Sequence, residues 1–257
     1  MNGLRLAVRQ VFFENRAFWR NPAAAFFTFI MPLFFLVLFN ALFGGNEYAV
    51  PGGTVDESVF YVPGIAAMGV ISACYTNIAM MVSVSRDLGV LKRVRGTPLP
   101  AWAYLFGRIG QATLVAVLLV VIITVAGALF YNVDMPTNTM PAFILTVAVA
   151  AAAFCALGLA LTAVIPNSDA SPAITNASIL PLFFISNVFI QMDDPPAWLD
   201  TAGDIFPVKH FADALGTVFN PYTSGAGFEW GHLAVIAAWG VFGAIVALRF
   251  FTWEPRR

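Results

Sequence analysis

Six long stretches of apolar residues constrain this chain more than any other feature of its sequence. A helix needs about 20 apolar residues to cross the hydrocarbon core of a bilayer, which is about 30 Å thick. Six stretches meet this length, and none has an Asp, Glu, Lys or Arg in its middle: 23–43, 59–82, 109–131, 141–165, 171–192 and 231–251. They are too long and continuous for the strands of a membrane barrel. The sequence therefore predicts an all-α integral membrane protein with six transmembrane helices in one domain, residues 1–257.

The overall composition agrees with a chain that lipid covers. Of its 257 residues, 60% are hydrophobic and only 11% are charged, whereas about 25% of the residues of a soluble domain are charged. Because so few charges cannot cover a surface exposed to water, much of the surface must face lipid. The net charge is −1, so charge alone gives no reason to expect a nucleic-acid partner.

The positions of the basic residues predict the orientation of the spans. With six spans, four cations of the N-terminal segment, five of the 83–108 loop and three near the C-terminus fall on one side of the membrane, which is 12 of the 13. Only Lys209 falls on the opposite side. Since Lys and Arg are in excess in cytoplasmic loops, we expect both termini and the 83–108 loop in the cytoplasm. An odd number of spans would divide these cations between the two sides.

The N-terminal segment, residues 1–22, is amphipathic. At helical spacing, one face carries Leu4, Val8, Val11, Phe12 and Trp19, and another carries Arg5, Arg9, Arg16 and Arg20. Such a helix can lie flat in the inner headgroup layer, and Asn21-Pro22 would then break the chain before the first span. The alternative is a basic tail that only sets the topology.

The sequence contains no pattern for nucleotide binding or catalysis. It has no Walker A sequence, no glycine-rich phosphate loop and no G-x-S-x-G elbow. Cys74 and Cys155 lie in separate apolar stretches, and His210 and His232 have no ligand-like spacing, so we expect neither a disulfide framework nor a metal site. No ionisable residue occupies the middle of a span, as ion-coupled transporters usually require. We therefore predict a protein that is not an enzyme, that binds no cofactor itself, and that needs a partner to drive transport.

The 83–108 loop is the segment that such a partner could bind. We expect residues 87–95 to form a short helix that Gly96 and Pro98 end. Leu88, Leu91 and Val94 share one face of this helix, and Lys92, Arg93 and Arg95 project elsewhere. A short charged helix at the membrane surface is a feature that a soluble motor could grip. An ordinary loop that carries positive charge for topology is equally compatible with these residues.

Two segments of the chain resemble the ABC-2 type permeases. Residues 86–99, Arg-Asp-Leu-Gly-Val-Leu-Lys-Arg-Val-Arg-Gly-Thr-Pro-Leu, are similar to the family signature of an acidic residue and a glycine, a basic and apolar stretch, and Thr-Pro. Residues 206–219, Phe-Pro-Val-Lys-His-Phe-Ala-Asp-Ala-Leu-Gly-Thr-Val-Phe, resemble the family segment between the fifth and sixth spans. Asp87 stands where the family often has Glu, and Val90 where Thr is common. The resemblance covers nearly the whole chain and is to the drug and lipid branch that resembles daunorubicin exporters.

This resemblance implies an exporter powered by a separate subunit. The family forms dimers of six-span subunits, here as a homodimer or a heterodimer, with two copies of an ATP-binding subunit that hold ATP and Mg. The coupling helix of the 83–108 loop would comprise Asp87, Leu88, Gly89, Leu91, Lys92, Arg93 and Arg95, followed by Thr97 and Pro98. Residues 193–229 would re-enter the outer leaflet, with Pro207, Phe211 and Leu215 forming an outer gate. The location would be the cytoplasmic membrane of a bacterium.

The resemblance also implies a substrate path between the two permease subunits. Polar positions of spans one, two and five would line it: Asn40, Tyr75, Thr76, Asn77, Asn176, Asn187 and Gln191. Because these positions carry no charge, we expect an amphipathic or hydrophobic substrate, which could be drug-like, a lipid or a glycolipid. Each polar side chain could instead form a hydrogen bond between helices. The alternative function is an ATP-independent channel, carrier or assembly scaffold, which would need no motor-binding loop.

Overall fold

The computed structural model describes residues 3–186, 188–189 and 196–254. These residues form α-helices, one π-helical turn and one short antiparallel hairpin. In chain order the elements are α1 (Gly3–Trp19), α2 (Pro22–Phe43), β1 (Glu47–Val50), β2 (Gly53–Asp56), α3 (Ser58–Ile71), the π turn Ser72–Thr76, α4 (Asn77–Asp87), α5 (Val90–Arg95), α6 (Ala101–Phe130), α7 (Met140–Leu161), α8 (Ser171–Ile185), α9 (Ala197–Ile205), α10 (Pro207–Phe219) and α11 (Trp230–Phe250). The continuous run Ser58–Asp87, which contains the π turn, is called the bulged helix below.

Five helices of the described residues are long and apolar enough to cross a membrane: α2, the bulged helix, α6, α7 and α11. The bulged helix and α6 have 30 residues each, which is about 45 Å of helix. Both therefore extend beyond a hydrocarbon core of about 30 Å. The helices that contain the predicted spans 59–82 and 109–131 extend further at one end, because polar and charged residues end a span without ending a helix. The segment between these two helices is residues 88–100.

The fifth predicted span, 171–192, contains a shorter helix. The helix described there is α8, with 15 residues and Pro181 in its interior. At 1.5 Å per residue α8 is about 22 Å long, less than the thickness of the hydrocarbon core. Asn187 and residues 190–195 lie outside the described residues, so the end of this predicted span and the start of the predicted 193–229 segment are not described. Residues 196–229 form α9, α10 and a loop.

Side-chain contacts define two ends of the helix bundle. At one end, called the basic end, Arg108 donates to the hydroxyl of Ser85 over 3.1 Å, and Arg86 donates to the carbonyl of Thr162 over 2.9 Å. At the other end, called the hairpin end, the hydroxyl of Tyr222 donates to the carbonyl of Thr54 in β2 over 3.2 Å. The five long helices run between these two ends. Two of the five cations of the predicted 83–108 loop, Arg86 and Arg108, therefore lie at one physical end of the bundle.

Helix α10 lies among the long helices instead of over them. The ring of Phe219 contacts that of Phe143 near the start of α7, and the ring of Phe211 contacts that of Phe154 eleven residues further along α7, with centroids 5.6 and 5.9 Å apart. Val208, Phe211 and Leu215 are fully buried, so the apolar stripe of this segment packs into the core. The carbonyl of Val218 also accepts a hydrogen bond from Thr139 over 2.7 Å. Helix α10 is thus packed beside the hairpin-end part of α7.

Candidate functional site

An apolar cavity of about 650 Å³ lies between α2, the bulged helix and α8. Six phenylalanines form much of its wall: Phe27, Phe35, Phe39, Phe183, Phe184 and Phe189. Five uncharged polar residues also line it: Thr28, Ser72, Thr76, Asn77 and Asn176. No described residue of this wall is charged. The cavity can therefore hold an apolar or amphipathic molecule and offer it a few hydrogen bonds.

The π turn of the bulged helix forms one wall of this cavity. Ser72, Ala73 and Thr76 of the turn face the cavity. On the other side of the turn, α7 approaches so closely that a Cβ atom on Gly158 would lie 2.7 Å from the carbonyl oxygen of Tyr75. Only a glycine fits at this distance from the backbone. The π turn is thus fixed by α7, and such turns occur often at functional sites.

The cavity brings together three of the predicted path residues. Thr76, Asn77 and Asn176 line it. Tyr75 does not, because its hydroxyl forms a hydrogen bond of 2.8 Å with that of Ser178 and so joins the bulged helix to α8. Asn40 does not line it either, since its side chain is buried and donates to the carbonyl of Leu36 within α2 over 2.8 Å. Asn187 and Gln191, which were also predicted, lie outside the described residues.

The aromatic wall is the part of this cavity that the sequence analysis missed. The predicted path contained only polar residues of the spans, whereas the phenylalanines outnumber the polar residues around the cavity. The sequence contains a signal for this aromatic wall, because 25 of its 257 residues are phenylalanines. Aromatic rings carry large apolar surfaces and stack on one another, as Phe39 and Phe189 do with centroids 5.7 Å apart.

The helix predicted to couple to a motor is shorter in the structure than the sequence predicts. Helix α5 covers Val90–Arg95, and the prediction of a helix over 87–95 is wrong in its first turn. Asp87 is the last residue of α4, Leu88 caps that helix, and Gly89 adopts a left-handed conformation with φ of +67°. Glycine adopts this conformation without steric cost, so it allows a break between the two helices. Leu88 is consequently 67% exposed and does not share a buried face with Leu91.

Helix α5 is held by one buried residue and presents the others to its surroundings. Leu91 is fully buried. Exposed residues of α5 and the turn after it include most of the remaining predicted coupling residues: Lys92, Arg93, Arg95, Thr97 and Pro98. Thr97 closes the turn, since its hydroxyl donates to the carbonyl of Val94 over 2.7 Å. The result is an anchored, positively charged surface at the basic end.

Two residues before α5 join it to the connection between α7 and α8. Arg86 is 1% exposed and donates to the carbonyls of Thr162 and Ile165 over 2.9 and 2.6 Å. The carboxylate of Asp87 accepts a hydrogen bond from the backbone N–H of Ser168. The sequence predicts for Arg86 only a contribution to the positive charge that sets the topology, and it predicts Asp87 in the coupling helix. Neither contact has a local signal in the sequence, because the partners are about 80 residues away.

A second charged contact joins the N-terminal helix to the bundle. Glu14 of α1 is 5% exposed and forms an ion pair of 3.1 Å with Arg108 of α6. Arg108 also donates to the hydroxyls of Ser85 and Tyr104 over 3.1 and 3.2 Å. One face of α1 therefore packs along the start of α6, a contact that the prediction of a helix lying in the headgroup layer did not include.

The apolar face predicted for α1 divides in the structure. Leu4, Val8 and Phe12 remain exposed, as contact with lipid requires. Val11 instead packs so closely on α6 that a Cβ atom on Gly110 would lie 2.7 Å from it. Helix α1 thus has one side on the bundle and an exposed apolar side that is suited to the headgroup layer.

The two histidines meet at the hairpin end. The Nδ1 atoms of His210 and His232 are 2.7 Å apart, and Nε2 of His210 is 2.8 Å from the carbonyl oxygen of Asp204. From the sequence, these two histidines have no ligand-like spacing and predict no metal site. Among the described residues, no group of three or more metal-ligating side chains is assembled. The pair therefore serves as a contact between α10 and α11.

The single cation predicted outside the cytoplasm is neutralised by its neighbours. Lys209 is 9% exposed and forms ion pairs with Asp200 and with Asp204, the latter over 2.7 Å. Burial by itself would lower the pKa of Lys209, but the hydrogen bonds and charges of the two carboxylates outweigh that effect and raise the pKa. Lys209 therefore stays charged within a cluster that has no excess positive charge.

Comparison with known proteins identifies the family. The family model described as ABC-2 type transporter matches residues 11–219. A daunorubicin resistance ABC transporter permease protein of Streptomyces coeruleorubidus is 26% identical over 200 residues, which are 77% of this chain and 69% of the relative. The transport permease ycf38 of Porphyra purpurea is 23% identical over 236 residues, which are 91% of this chain and 79% of the relative.

A shorter match agrees with these. The probable multidrug ABC transporter permease YbhR of Escherichia coli K12 is 21% identical over 165 residues, which are 64% of this chain but only 45% of the relative. The matched residues include the 88–100 segment with α5, the helices that line the cavity, and α10. Since that model matches most of its length, the chain belongs to the ABC-2 type transporter family.

Proposed function

We propose that this chain is the permease subunit of an ABC exporter, which moves an amphipathic or hydrophobic substrate across the cytoplasmic membrane by alternating access. The observation that carries the proposal is α5: an exposed basic helix, anchored by the buried Leu91, at the basic end of an apolar bundle. The chain has no phosphate-binding loop of its own. The energy must therefore come from a separate ATPase subunit that docks on α5.

The cavity supports the proposed substrate class. Its wall is aromatic with a few uncharged polar groups, so it favours molecules with a large apolar part and some hydrogen-bonding groups. A charged group would be costly to bury there without a partner. Drug-like molecules, lipids and glycolipids all satisfy this requirement. The names of the relatives as daunorubicin resistance and multidrug permeases support the drug-like members of this class.

The proposed arrangement in the membrane has six crossings and both termini in the cytoplasm. The grouping of 12 of 13 cations supports the basic end as the cytoplasmic one. Helix α8 begins beside Asp87 at the basic end and leads toward α9, where the carbonyl oxygen of Ile185 lies 2.8 Å from a Cβ position on Gly203. We propose that α8 is the fifth crossing, and that α9 and α10 re-enter the outer leaflet where α8 is too short to fill it.

The complete exporter would contain four subunits. Two permease chains, identical or different, would form the membrane part, and two ATP-binding subunits would hold ATP and Mg. Pro207, Phe211 and Leu215 would belong to the outer gate, a role supported by their burial in α10 near the hairpin end. A channel, carrier or scaffold without ATP remains the competing function, and it assigns no role to the anchored basic surface of α5.

The test is purification of the chain from its native membranes, followed by reconstitution. We expect a stoichiometric ATPase subunit to accompany the chain, and the reconstituted complex to hydrolyse ATP faster when a substrate is added. Phe35→Ala should weaken this stimulation because the Phe35 ring faces the cavity. Phe34→Ala is the matched control, since Phe34 is on the same helix, is 54% exposed and does not line the cavity. Purification without any ATPase subunit would contradict the proposal.

A further inference from the structure

We propose that Arg86 and Asp87 are positioning residues that make α5 and the connection between α7 and α8 move together. The proposal rests on the proposed function, in which an ATPase subunit pushes on α5. It adds a route by which that push reaches α8, and through α8 the substrate cavity. The route consists of side-chain contacts at the basic end, where two residues of the bulged helix hold both sides of one turn.

Arg86 holds the end of α7. Its Nη1 atom donates to the carbonyl of Thr162 over 2.9 Å, and its Nη2 atom donates to those of Ile165 and Pro166 over 2.6 and 3.4 Å. The last carbonyls of a helix lack partners within the helix, and a cation suits this negative end of the helix dipole. The side chain is 1% exposed, so these carbonyls are bound by Arg86 in place of water. The contact therefore fixes the end of α7 to the bulged helix.

Asp87 holds the start of α8. Its carboxylate accepts from the N–H of Ser168. The carbonyl of Ser168 in turn accepts from the N–H and the hydroxyl of Ser171, over 3.2 and 2.8 Å. Ser171 is the first residue of α8 and is 1% exposed. An uninterrupted chain of hydrogen bonds thus leads from Asp87 to the first turn of α8.

The joint between Asp87 and α5 is also hydrogen-bonded. The N–H of Gly89 donates to the carbonyl of Arg86 over 3.0 Å, and the N–H of Arg93 donates to the carbonyl of Gly89 over 3.1 Å. Nη2 of Arg93 reaches the carbonyl of Leu88 over 3.3 Å. With Leu91 buried as well, α5 cannot turn freely about Gly89. A displacement of α5 is therefore passed to Arg86 and Asp87.

The destination of this displacement is the cavity wall. Asn176, Ile179 and Phe183 of α8 line the cavity opposite residues of α2. A push on α5 would move the bulged helix and α8 together, and so change the width of the cavity relative to α2. Without the contacts of Arg86 and Asp87, only the bulged helix would follow α5. The two cases predict different motions of α8 in response to ATP.

The experiment distinguishes these two cases by measuring the movement of α8 and the binding of the ATPase subunit in the same variants. In a chain without native cysteines, spin labels at Ala177→Cys of α8 and at Val37→Cys of α2, which is exposed and does not line the cavity, report the distance between these helices, with and without ATP, in the complex with the ATPase subunit. Asp87→Ala removes both the acceptor for Ser168 and the ion pair of 3.7 Å with Arg86. Asp87→Asn keeps an acceptor oxygen and serves as the rescue variant. Asp169→Ala is the matched control, because it removes an exposed carboxylate from the same turn.

We expect Asp87→Ala to keep its ATPase subunit but to lose the ATP-dependent change in the α8 distance and most of the substrate stimulation. Asp87→Asn and Asp169→Ala should behave as the unmodified chain. A full α8 response in Asp87→Ala would overturn the inference. If Asp87→Ala does not accumulate in the membrane, Asp87→Ser replaces it, since its short hydroxyl cannot reach Ser168. Failure of all Asp87 variants to accumulate, with a normal Asp169→Ala, would assign the contact to assembly alone and also overturn the inference. Absence of an ATPase subunit from the unmodified chain would instead contradict the proposed function.

Discussion

The close contact between α7 and the π turn predicts the effect of one added methyl group. In Gly158→Ala, the new Cβ atom would lie 2.7 Å from the carbonyl oxygen of Tyr75 and 3.2 Å from that of Cys74. Both are backbone atoms, so no change of rotamer relieves the clash. Alanine favours a helix over glycine by about 1 kcal/mol, whereas overpacking a core costs about 1–3 kcal/mol. We therefore expect the free energy of unfolding to fall by up to about 2 kcal/mol.

The control for this substitution is Gly216→Ala. Gly216 is also helical, but nothing lies within 4 Å of its Cβ position, so only the gain in helix propensity of about 1 kcal/mol applies. Gly158→Ala should thus be less stable than Gly216→Ala by about 1–3 kcal/mol, measured from the midpoints of denaturant unfolding in the same detergent. It should also reduce transport, because Ser72 and Thr76 of this turn line the cavity and would be displaced with it. Equal midpoints for the two variants would refute the packing argument.

Three further predictions address topology, the α10 segment and docking. Cysteines introduced at Thr54 and Thr223, in a chain without native cysteines, should react with an impermeant thiol reagent in intact cells, and protection of both would contradict the six-crossing arrangement. The double variant Phe211→Asp and Leu215→Asp should lower the amount of protein in the membrane sharply, because both side chains are fully buried; unchanged amounts would show that α10 is a surface segment. Arg93→Glu should reduce co-purification of the ATPase subunit without lowering the amount in the membrane, because Arg93 is exposed; normal co-purification would remove Arg93 from the docking surface.

Hydropathy predicts the long helices because each one must satisfy the same physical condition. A helix in lipid needs an apolar surface over a fixed length, and this condition applies residue by residue, without knowledge of neighbours. The sequence therefore predicts the starts of α2 and α11 near residues 23 and 231, to within one residue of Pro22 and Trp230. It does not predict where the bulged helix ends or where α6 begins, because a helix continues past the membrane for as long as its backbone hydrogen bonds do.

The details of the cavity and of the 88–100 segment could be recognised only from the tertiary structure. The π turn has no composition of its own, and it is recognised from its backbone hydrogen bonding, in which the N–H of Asn77 donates to the carbonyl of Ser72. Gly89 was visible in the sequence as a possible break, but a glycine in a short segment can also continue a helix. The burial of Arg86 could not be predicted, since its partners lie in the connection after α7. The sequence thus indicates the segments that contain α5 and the cavity helices, but not which of their residues are exposed.

The five cations of the 83–108 segment illustrate why this distinction affects mechanism. For topology they are equivalent, because each adds one positive charge to the side that we propose to be cytoplasmic. In the structure they divide into two groups, since Arg86 and Arg108 are bound to other elements of the bundle while Lys92, Arg93 and Arg95 are exposed. Reversing an exposed charge changes the surface that a partner meets and leaves the helix ends in place. Replacing either bound arginine disconnects two helices instead, so the same change in net charge should give loss of docking in one group and loss of motion or assembly in the other.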